Sequence, residues 1–373
     1  MSRNFNKCVV KYKNEFNVPK GTYTMKRRIL VLFTVCILIF TTVFVSCSKK
    51  ESATVFSYGT VLMHEKMYIY ELTMMKSELL SGYGVVGQDV PEFWTADMGG
   101  GITFDDWFYT QCQMNICALL YFADYANANG GLTDDMQKGV DDSIDEIIEK
   151  MGSKKKVKAY LEDYGIDLDI YRDYLELYAL YAKGTQLAYD AGGIREIEKD
   201  RLLDYYEEKF ITVKHVAVGT EIAGTDVEGN FVYYTDEEKA EKQQKIKDIR
   251  DKIASGADFD ELYLTSEDKQ AENYPDGYTL TSGVHTDDKK GYEEVALSLD
   301  IGEVGEWENE KFGHYFIKRV ELNDADFQNC VNYIYPLVVE EDMMAAVLEN
   351  YNEFFMDQDI IDSYNMASVP VLK

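Results

Sequence analysis

Val213-Lys214-His215-Val216-Ala217-Val218 begins the part of the sequence that decides the fold, and Phe312-Gly313-His314-Tyr315-Phe316-Ile317-Lys318-Arg319 ends it. Both stretches are rich in β-branched and aromatic residues, which favour strands. Each stretch also carries a histidine among apolar neighbours. The sequence therefore predicts two short strands that bracket a separate folded segment.

The segment between these strands carries helix and turn signals in a regular order. Residues 236–255 are charged but hold apolar residues at helical spacing, and Gly256 follows as a typical helix end. Shorter helices are expected at 258–264 and 291–299, with a polar loop rich in Gly and Pro between them. The predicted order is strand, helix, helix, loop, helix, strand, strand.

This order resembles the parvulin-type prolyl isomerases, and several short motifs match in the same sequence. The matching motifs are His215-Val216-Ala217-Val218, Ser255-Gly256-Ala257-Asp258-Phe259-Asp260-Glu261-Leu262, Ser266-Glu267-Asp268, Gly302-Glu303-Val304 and Ile317-Lys318-Arg319. The resemblance implies a small antiparallel sheet wrapped by helices over residues 210–321. It also implies isomerisation of X-Pro bonds without a cofactor or a covalent intermediate.

The resemblance further implies a polar network of two histidines and a cysteine or aspartate beneath an apolar cup for the proline ring. The corresponding catalytic candidates are His215, Asp268, Tyr315 and His314, and the substrate-binding candidates are Tyr292, Phe316 and Thr279. The second histidine stands one residue earlier than in the family pattern, and side chains alternate along a strand. His314 should therefore point away and Tyr315 inward, unless a bulge restores His314. Without the resemblance, His215 would be a structural histidine, and Tyr292 and Phe316 would be core aromatics.

The amino-terminal segment predicts export and attachment to a membrane. A basic start at Met25-Lys26-Arg27-Arg28, an apolar run over 29–45 and a small residue before Cys47 have the order of a secretory signal at 25–46. The end of this segment resembles the lipobox of bacterial lipoproteins, which implies acylation of Cys47 and a lipidated tether at 47–56. An uncleaved transmembrane helix is the alternative, because the apolar run is near the minimum length for a span. Residues 1–24 are an upstream extension or a misassigned start. The lipid anchor and the transmembrane helix would both place the folded part on the extracytoplasmic face of the cell membrane.

The composition excludes several classes of partner. The net charge is -29, so neither nucleic acid nor an anionic lipid surface is a plausible partner. The four histidines and six cysteines are scattered, and no cluster has the spacing of metal ligands, so no metal site is expected. Cys112 and Cys117 are five positions apart on a predicted helix and point to different sides, which argues against a disulfide framework.

The flanks of the parvulin-like segment are predicted to be helical. Residues 57–209 form a helical lobe with caps at Thr133 and Ser153, and 322–373 return to it and end in a strand-like Val369-Pro370-Val371-Leu372. The fold class is therefore α+β, with an inserted parvulin-like domain. This arrangement resembles the PrsA and SurA foldases, in which both flanks of the parvulin domain form one chaperone lobe.

Three functions fit these patterns. The first is a membrane-tethered foldase that isomerises prolyl bonds in unfolded or partly folded exported polypeptides. The second is a chaperone that only binds such polypeptides because its isomerase site is degenerate, and the third is an extracytoplasmic binding lipoprotein. No pattern in the sequence indicates an oligomeric state.

Overall fold

The chain folds into two compact units that combine helices with small antiparallel sheets. A computed structural model describes residues 52–82, 89–283 and 287–372. The first unit runs through Glu196 and resumes at Asp342, and the second unit is the continuous segment Ile197–Glu341. The predicted mixture of helices and small antiparallel sheets is confirmed. The boundaries between the units differ from the predicted 209/210 and 321/322, because the flanking helical segments 197–209 and 322–341 group with the second unit.

In the described residues of the first unit, a hairpin comes first and six helices follow. Its elements are β1 (Thr54–Tyr58), β2 (Val61–His64), α1 (Glu65–Gly82), α2 (Pro91–Trp94), α3 (Phe104–Ala128), α4 (Asp134–Met151), α5 (Lys154–Glu162) and α6 (Leu168–Tyr189). Local capping chemistry sets several of these bounds. The Thr133 side chain accepts a hydrogen bond from Met136 N at the start of α4, and Gly152 ends that helix in the left-handed region at φ 82°.

Helices α3 and α6 form the centre of the first unit and cross closely at Gly184. A Cβ atom at Gly184 would lie 1.8 Å from the carbonyl oxygen of Phe122. Only a residue without a side chain allows the two backbones to approach this far. Leu120, Ala123 and Leu177 are buried around the crossing helices, and Cys112 and Cys117 are buried free thiols of α3.

The second unit is built on a four-stranded antiparallel sheet. Its elements are α7 (Lys199–Lys209), β3 (Phe210–Val218), β4 (Ile222–Thr225), β5 (Phe231–Tyr233), α8 (Asp236–Ala254), α9 (Phe259–Tyr263), α10 (Gln270–Asn273), β6 (Tyr278–Thr281), α11 (Lys290–Ser298), β7 (Val304–Asn309) and β8 (Gly313–Val320). The strand order is β6-β3-β8-β7, while β4 and β5 form a separate hairpin. A long helix, α12 (Asp324–Glu349), follows the sheet and continues past the boundary at Asp342.

The two faces of the four-stranded sheet bury different residues. One face packs Val213 and Ile317 against Tyr292 and Ala296 of α11. The other face packs Val216, Val218 and Phe316 against the apolar side chains of α8 and α9. Because neighbouring residues of a strand point to opposite faces, this division decides which candidate residues can meet.

The carboxyl-terminal segment completes the first unit. Strand β9 (Phe355–Met356) pairs with β1, and α13 (Gln358–Ile361) follows it. The strand predicted at 369–372 is wrong, because that segment has no ladder partner and is held by side chains instead. The fully buried Lys76 donates from Nζ to the carbonyl oxygens of Met366 and Val369 at 2.7 and 2.8 Å.

Within the described ranges, no helix is long and apolar enough to cross a membrane. The predicted signal at 25–46, Cys47 and the upstream residues 1–24 lie outside the described residues.

Candidate functional site

His215 lies near the middle of β3 and has a partner at each ring nitrogen. Its side chain contacts Tyr292 of α11, and the residue is 3% exposed. Nε2 lies 2.5 Å from Oδ2 of Asp268, and Nδ1 lies 2.7 Å from the hydroxyl oxygen of Tyr292. A carboxylate can only accept, so Nε2 donates to Asp268, and the Tyr292 hydroxyl is able to donate to Nδ1. The histidine is thereby fixed in one orientation.

Asp268 lies on the loop that follows α9. Ser266 connects this loop to β3, the strand that carries His215. The Ser266 hydroxyl donates to Oδ1 of Asp268 at 2.7 Å and accepts from Ala217 N at 2.9 Å. Gln270 N also donates to Oδ1. Burial alone would raise the pKa of Asp268, but the hydrogen bond and charge of His215, with help from Ser266 and Gln270, outweigh it and lower the pKa. The carboxylate therefore stays ionised near neutral pH.

Aromatic rings surround the imidazole of His215. The ring centroids of Tyr278, Tyr292 and Tyr315 lie 5.8, 5.5 and 5.1 Å from that of His215, each in an edge-to-face arrangement. Trp307 extends the cluster, with centroid distances of 5.7 Å to Tyr292 and 5.3 Å to Tyr315. These four rings make an apolar wall around a polar centre, which is a suitable surface for the ring of a proline.

The hydroxyl groups of this wall remain protonated over the whole physiological range. Burial, followed by the negative charge of Asp268, raises the pKa of Tyr315 to about 12. Burial also raises the pKa values of Tyr278 and Tyr292, which hydrogen-bond to each other. Each hydroxyl is therefore a neutral group that can donate a hydrogen bond.

His314 does not join this site. The pairing of β3 with β8 is continuous, with His215 opposite Ile317 and Val218 opposite His314, so no bulge restores His314 to the face of His215. The imidazole of His314 instead lies on the other face, with Nε2 2.8 Å from Glu306 and Nδ1 3.3 Å from Glu308. The strand alternation that separates His314 from Tyr315 is the physical cause.

Phe316 and Thr279 also need correction, because the structure does not bring them to His215. Phe316 packs on the face of α8 and α9 together with His314. The hydroxyl of Thr279 donates to Asp326 at 2.8 Å and lies 3.3 Å from that of Thr212. Thus the structure brings together His215, Asp268, Tyr315 and Tyr292, and it places the other three candidates elsewhere.

Tyr278 and Trp307 were not among the sequence candidates. Tyr278 shares one face of β6 with the buried Leu280, so the alternation of that short strand was the available signal. Trp307 lies on β7 at the edge of the sheet, where a single aromatic residue gives no motif. Among the described residues, no group of three or more His, Cys, Asp or Glu side chains could hold a metal ion.

Comparisons with known proteins give likenesses in structure only. No family model matches the sequence, and no curated protein matches it either. A peptidylprolyl isomerase structure, PrsA from Bacillus anthracis, has 16% identity and a TM-score of 0.26 and covers 64% of this chain and 97% of its own. PrsA from Bacillus cereus has 17% identity and a TM-score of 0.29, and the match covers 72% of this chain and 95% of that protein.

A third likeness covers more of the chain. The foldase protein PrsA from Lactococcus lactis has 13% identity and a TM-score of 0.23, and the match covers 84% of this chain and 97% of that protein. The chain is similar to solved structures of PrsA peptidylprolyl isomerases from several bacteria.

Proposed function

We propose that the second unit is a parvulin-like domain that binds X-Pro segments of polypeptides and catalyses their cis–trans isomerisation. One observation carries this proposal: His215, Asp268 and Tyr292 form a hydrogen-bonded network inside a wall of aromatic rings on one face of the sheet. Such a site offers an apolar surface for the proline ring and polar groups beside the amide.

The reaction needs no bond to the protein. Amide resonance sets a rotational barrier of about 18–20 kcal/mol, and a catalyst lowers it by binding the twisted amide better than the planar forms. When the bond twists, the prolyl nitrogen regains its lone pair and becomes a hydrogen-bond acceptor. The hydroxyl of Tyr315, which stays protonated, is the donor proposed for that nitrogen.

His215 is nearly buried, so its proposed role is to position the groups around it. It joins Asp268 to Tyr292 and packs edge-to-face against Tyr315 at 5.1 Å. Removing the imidazole leaves Asp268 without its main partner and loosens the ring beside it. The loss should therefore affect catalysis more than the binding of apolar segments.

A prolyl isomerisation assay tests the proposal. The chain from Ser48 to Lys373 is compared with His215→Ala and with His64→Ala, an exposed histidine of the first unit, as a matched control. We expect both a short X-Pro peptide and a refolding protein limited by proline isomerisation to be accelerated. His215→Ala should lower kcat/KM by about 10- to 100-fold, because one charge-assisted hydrogen bond is lost, and His64→Ala should not. Equal rates in all three proteins would refute the proposal.

A chaperone that only binds polypeptides is the second candidate. Two observations favour it: His215 is nearly buried, and among the described residues it is the one histidine on this face of the sheet, with a tyrosine at position 315. In that case neither substrate would be accelerated, but aggregation of an unfolded client would still be suppressed.

We also propose that exported polypeptides are the clients and that the protein acts outside the cytoplasmic membrane, attached through a lipid on Cys47. This part rests on the order of basic, apolar and small residues before Cys47. Changing Cys47 to Ala and fractionating the membranes tests it. Release after cleavage of the signal supports lipidation, whereas retention with the leader intact indicates a membrane-spanning helix.

A further inference from the structure

The hairpin of β4 and β5 exposes an unusual amount of apolar surface. Phe231 is 52% exposed, Tyr233 61%, and Val227 in the turn is fully exposed. The two strands hydrogen-bond to each other and form a sheet of their own, separate from the four-stranded sheet. Contiguous exposed aromatic and aliphatic side chains on a protein surface mark sites of interaction.

The base of this hairpin is firmly attached to the rest of the second unit. Tyr234 N donates to the Glu221 carbonyl oxygen at 3.0 Å, and Glu221 forms an ion pair with Lys239 of α8. Lys242 lies 4.8 Å from the ring of Tyr234. The hairpin is therefore an arm with a fixed base and an exposed tip, rather than a loose loop.

Glu267 links this base to the candidate site. Its carboxylate accepts from Gly219 N, the residue between β3 and the hairpin, at 2.9 Å. Lys242 and Lys245 donate to the same carboxylate at 2.7 and 2.9 Å. Because Glu267 directly precedes Asp268 in the chain, the arm and the site share one anchored loop.

The charged residues of the hairpin segment itself have a single sign. The segment 219–238 contains no Lys or Arg, and its acidic residues are Glu221, Asp226, Glu228, Asp236, Glu237 and Glu238. Lys239 pairs with Glu221 at the base of the hairpin, whereas Asp226 and Glu228 lie in the turn. An apolar surface surrounded by carboxylates is complementary to an apolar segment that carries positive charge.

We propose that the β4–β5 hairpin is a docking surface for unfolded polypeptide segments in which Lys or Arg alternate with apolar residues. A second copy of the chain would bring the same carboxylates together, and anionic lipid headgroups would be repelled in the same way. The inference deepens the proposed function, on which it rests for the nature of the client. Its consequence is a preference among clients that the isomerase site alone would not create.

Peptide binding tests this inference. Two fluorescein-labelled unstructured peptides serve as probes, one alternating apolar residues with Lys and the other identical except for Glu in place of Lys. We expect the chain from Ser48 to Lys373 to bind the Lys peptide at least about tenfold more tightly, with the difference shrinking as salt is added. The double variant Phe231→Ser/Tyr233→Ser should weaken this binding by about tenfold or more, because two large apolar contacts are lost.

Two further variants complete the design. Glu228→Lys should reduce the preference for the Lys peptide without removing apolar surface. Ile301→Ser, which changes a residue of the second unit that is 55% exposed, should bind both peptides as the unchanged chain does. Equal affinity for both peptides, or a hairpin variant that behaves like Ile301→Ser, overturns the inference.

The test also separates this inference from the proposed function. The hairpin variant should isomerise a short X-Pro peptide at the unchanged rate, because none of its substitutions lies in the site. If the unchanged chain has no isomerase activity but binds the Lys peptide through the hairpin, the docking surface stands and the proposed catalysis fails. If the short peptide is isomerised but the hairpin variant binds the Lys peptide as tightly as the unchanged chain, the proposed catalysis stands and the docking surface fails.

Discussion

The imidazole of His215 and the carboxylate of Asp268 lie 2.5 Å apart, although 53 positions separate them in the chain. Ser266 fixes the other oxygen of Asp268 and at the same time bonds to β3, the strand of His215. The hydrogen-bonded pair and the strand therefore hold each other in place. It follows that changing either residue should alter the stability of the second unit as well as its proposed activity.

Replacing Asp268 with Asn should make the stability of the second unit less sensitive to acid. The net effect of burial, His215 and Ser266 lowers the folded-state pKa of Asp268 below its usual 3.8. A carboxyl group of this kind adds stability above its unfolded pKa, and that stability disappears as the pH falls through the folded pKa. Urea unfolding at pH values from about 7 down to about 2.5 should show a steeper acid loss in the unchanged chain than in Asp268→Asn. An exposed control, Asp276→Asn, should keep the steep loss, and identical slopes for all three would contradict the prediction.

Substitutions at Tyr315 should distinguish the contribution of its hydroxyl group to isomerisation from that of its aromatic ring. Tyr315→Phe keeps the apolar wall but removes the donor, so we expect kcat/KM for X-Pro isomerisation to fall up to about tenfold, the value of one hydrogen bond. Tyr315→His places an imidazole on the same face as His215 and should retain more activity than the Phe variant. Rates that follow the opposite order would show that the hydroxyl is not the donor. The exposed Tyr274, changed to Phe, is the control.

Gly184→Ala should destabilise the first unit severely. The new methyl group would meet the Phe122 carbonyl oxygen at 1.8 Å, so α3 and α6 must move apart. Overpacking of this kind costs about 1–3 kcal/mol or more in the free energy of unfolding. Gly139→Ala is the matched control, because its Cβ meets nothing within 4 Å on the exposed side of α4, and it should stabilise by up to about 1 kcal/mol. Thermal unfolding monitored by circular dichroism should show a lower melting temperature for Gly184→Ala than for the unchanged chain and Gly139→Ala. Equal melting temperatures for the two variants would contradict the prediction.

Glu71→Gln should stabilise the first unit at neutral pH. The residue is fully buried, Oε1 accepts from the Tyr178 hydroxyl at 2.7 Å, and Oε2 has no hydrogen-bond partner. Burial raises the pKa of Glu71, so ionising it costs free energy in the folded state and stability falls as the pH rises above 4.5. The amide has no such cost. Unfolding curves between about pH 5 and pH 8 should be flatter for Glu71→Gln, and a larger loss of stability at high pH in the variant would disprove the assignment.

Local chemistry made much of the helical structure predictable. Thr133, Ser153 and Gly152 cap the helices at the positions that the sequence indicated, because a cap depends only on residues a few positions away. The pairing of Phe56 with Met356 was not predictable in this way. These two residues are 300 positions apart, and nothing in either short segment indicates the other as its partner.

The alternation of side chains along β8 predicted part of the site. Residues to which this rule was not applied were assigned wrongly or missed. Alternation indicated that Tyr315 points toward His215 and His314 away from it, and the structure places them so. The same rule puts Phe316 on the face of His314, which the sequence assignment overlooked. Trp307 could not be found from the pattern, because its role comes from the packing of an edge strand against α11.

The division into two units has a consequence for folding during synthesis, because the chain is made from the amino terminus. The second unit is one continuous segment, so all of its residues are available before synthesis is complete. The first unit must wait, because β1 pairs with β9 and Lys76 binds the carbonyl oxygens of Met366 and Val369. Since domains generally fold as units, the second unit folds before the residues that complete the first unit have emerged.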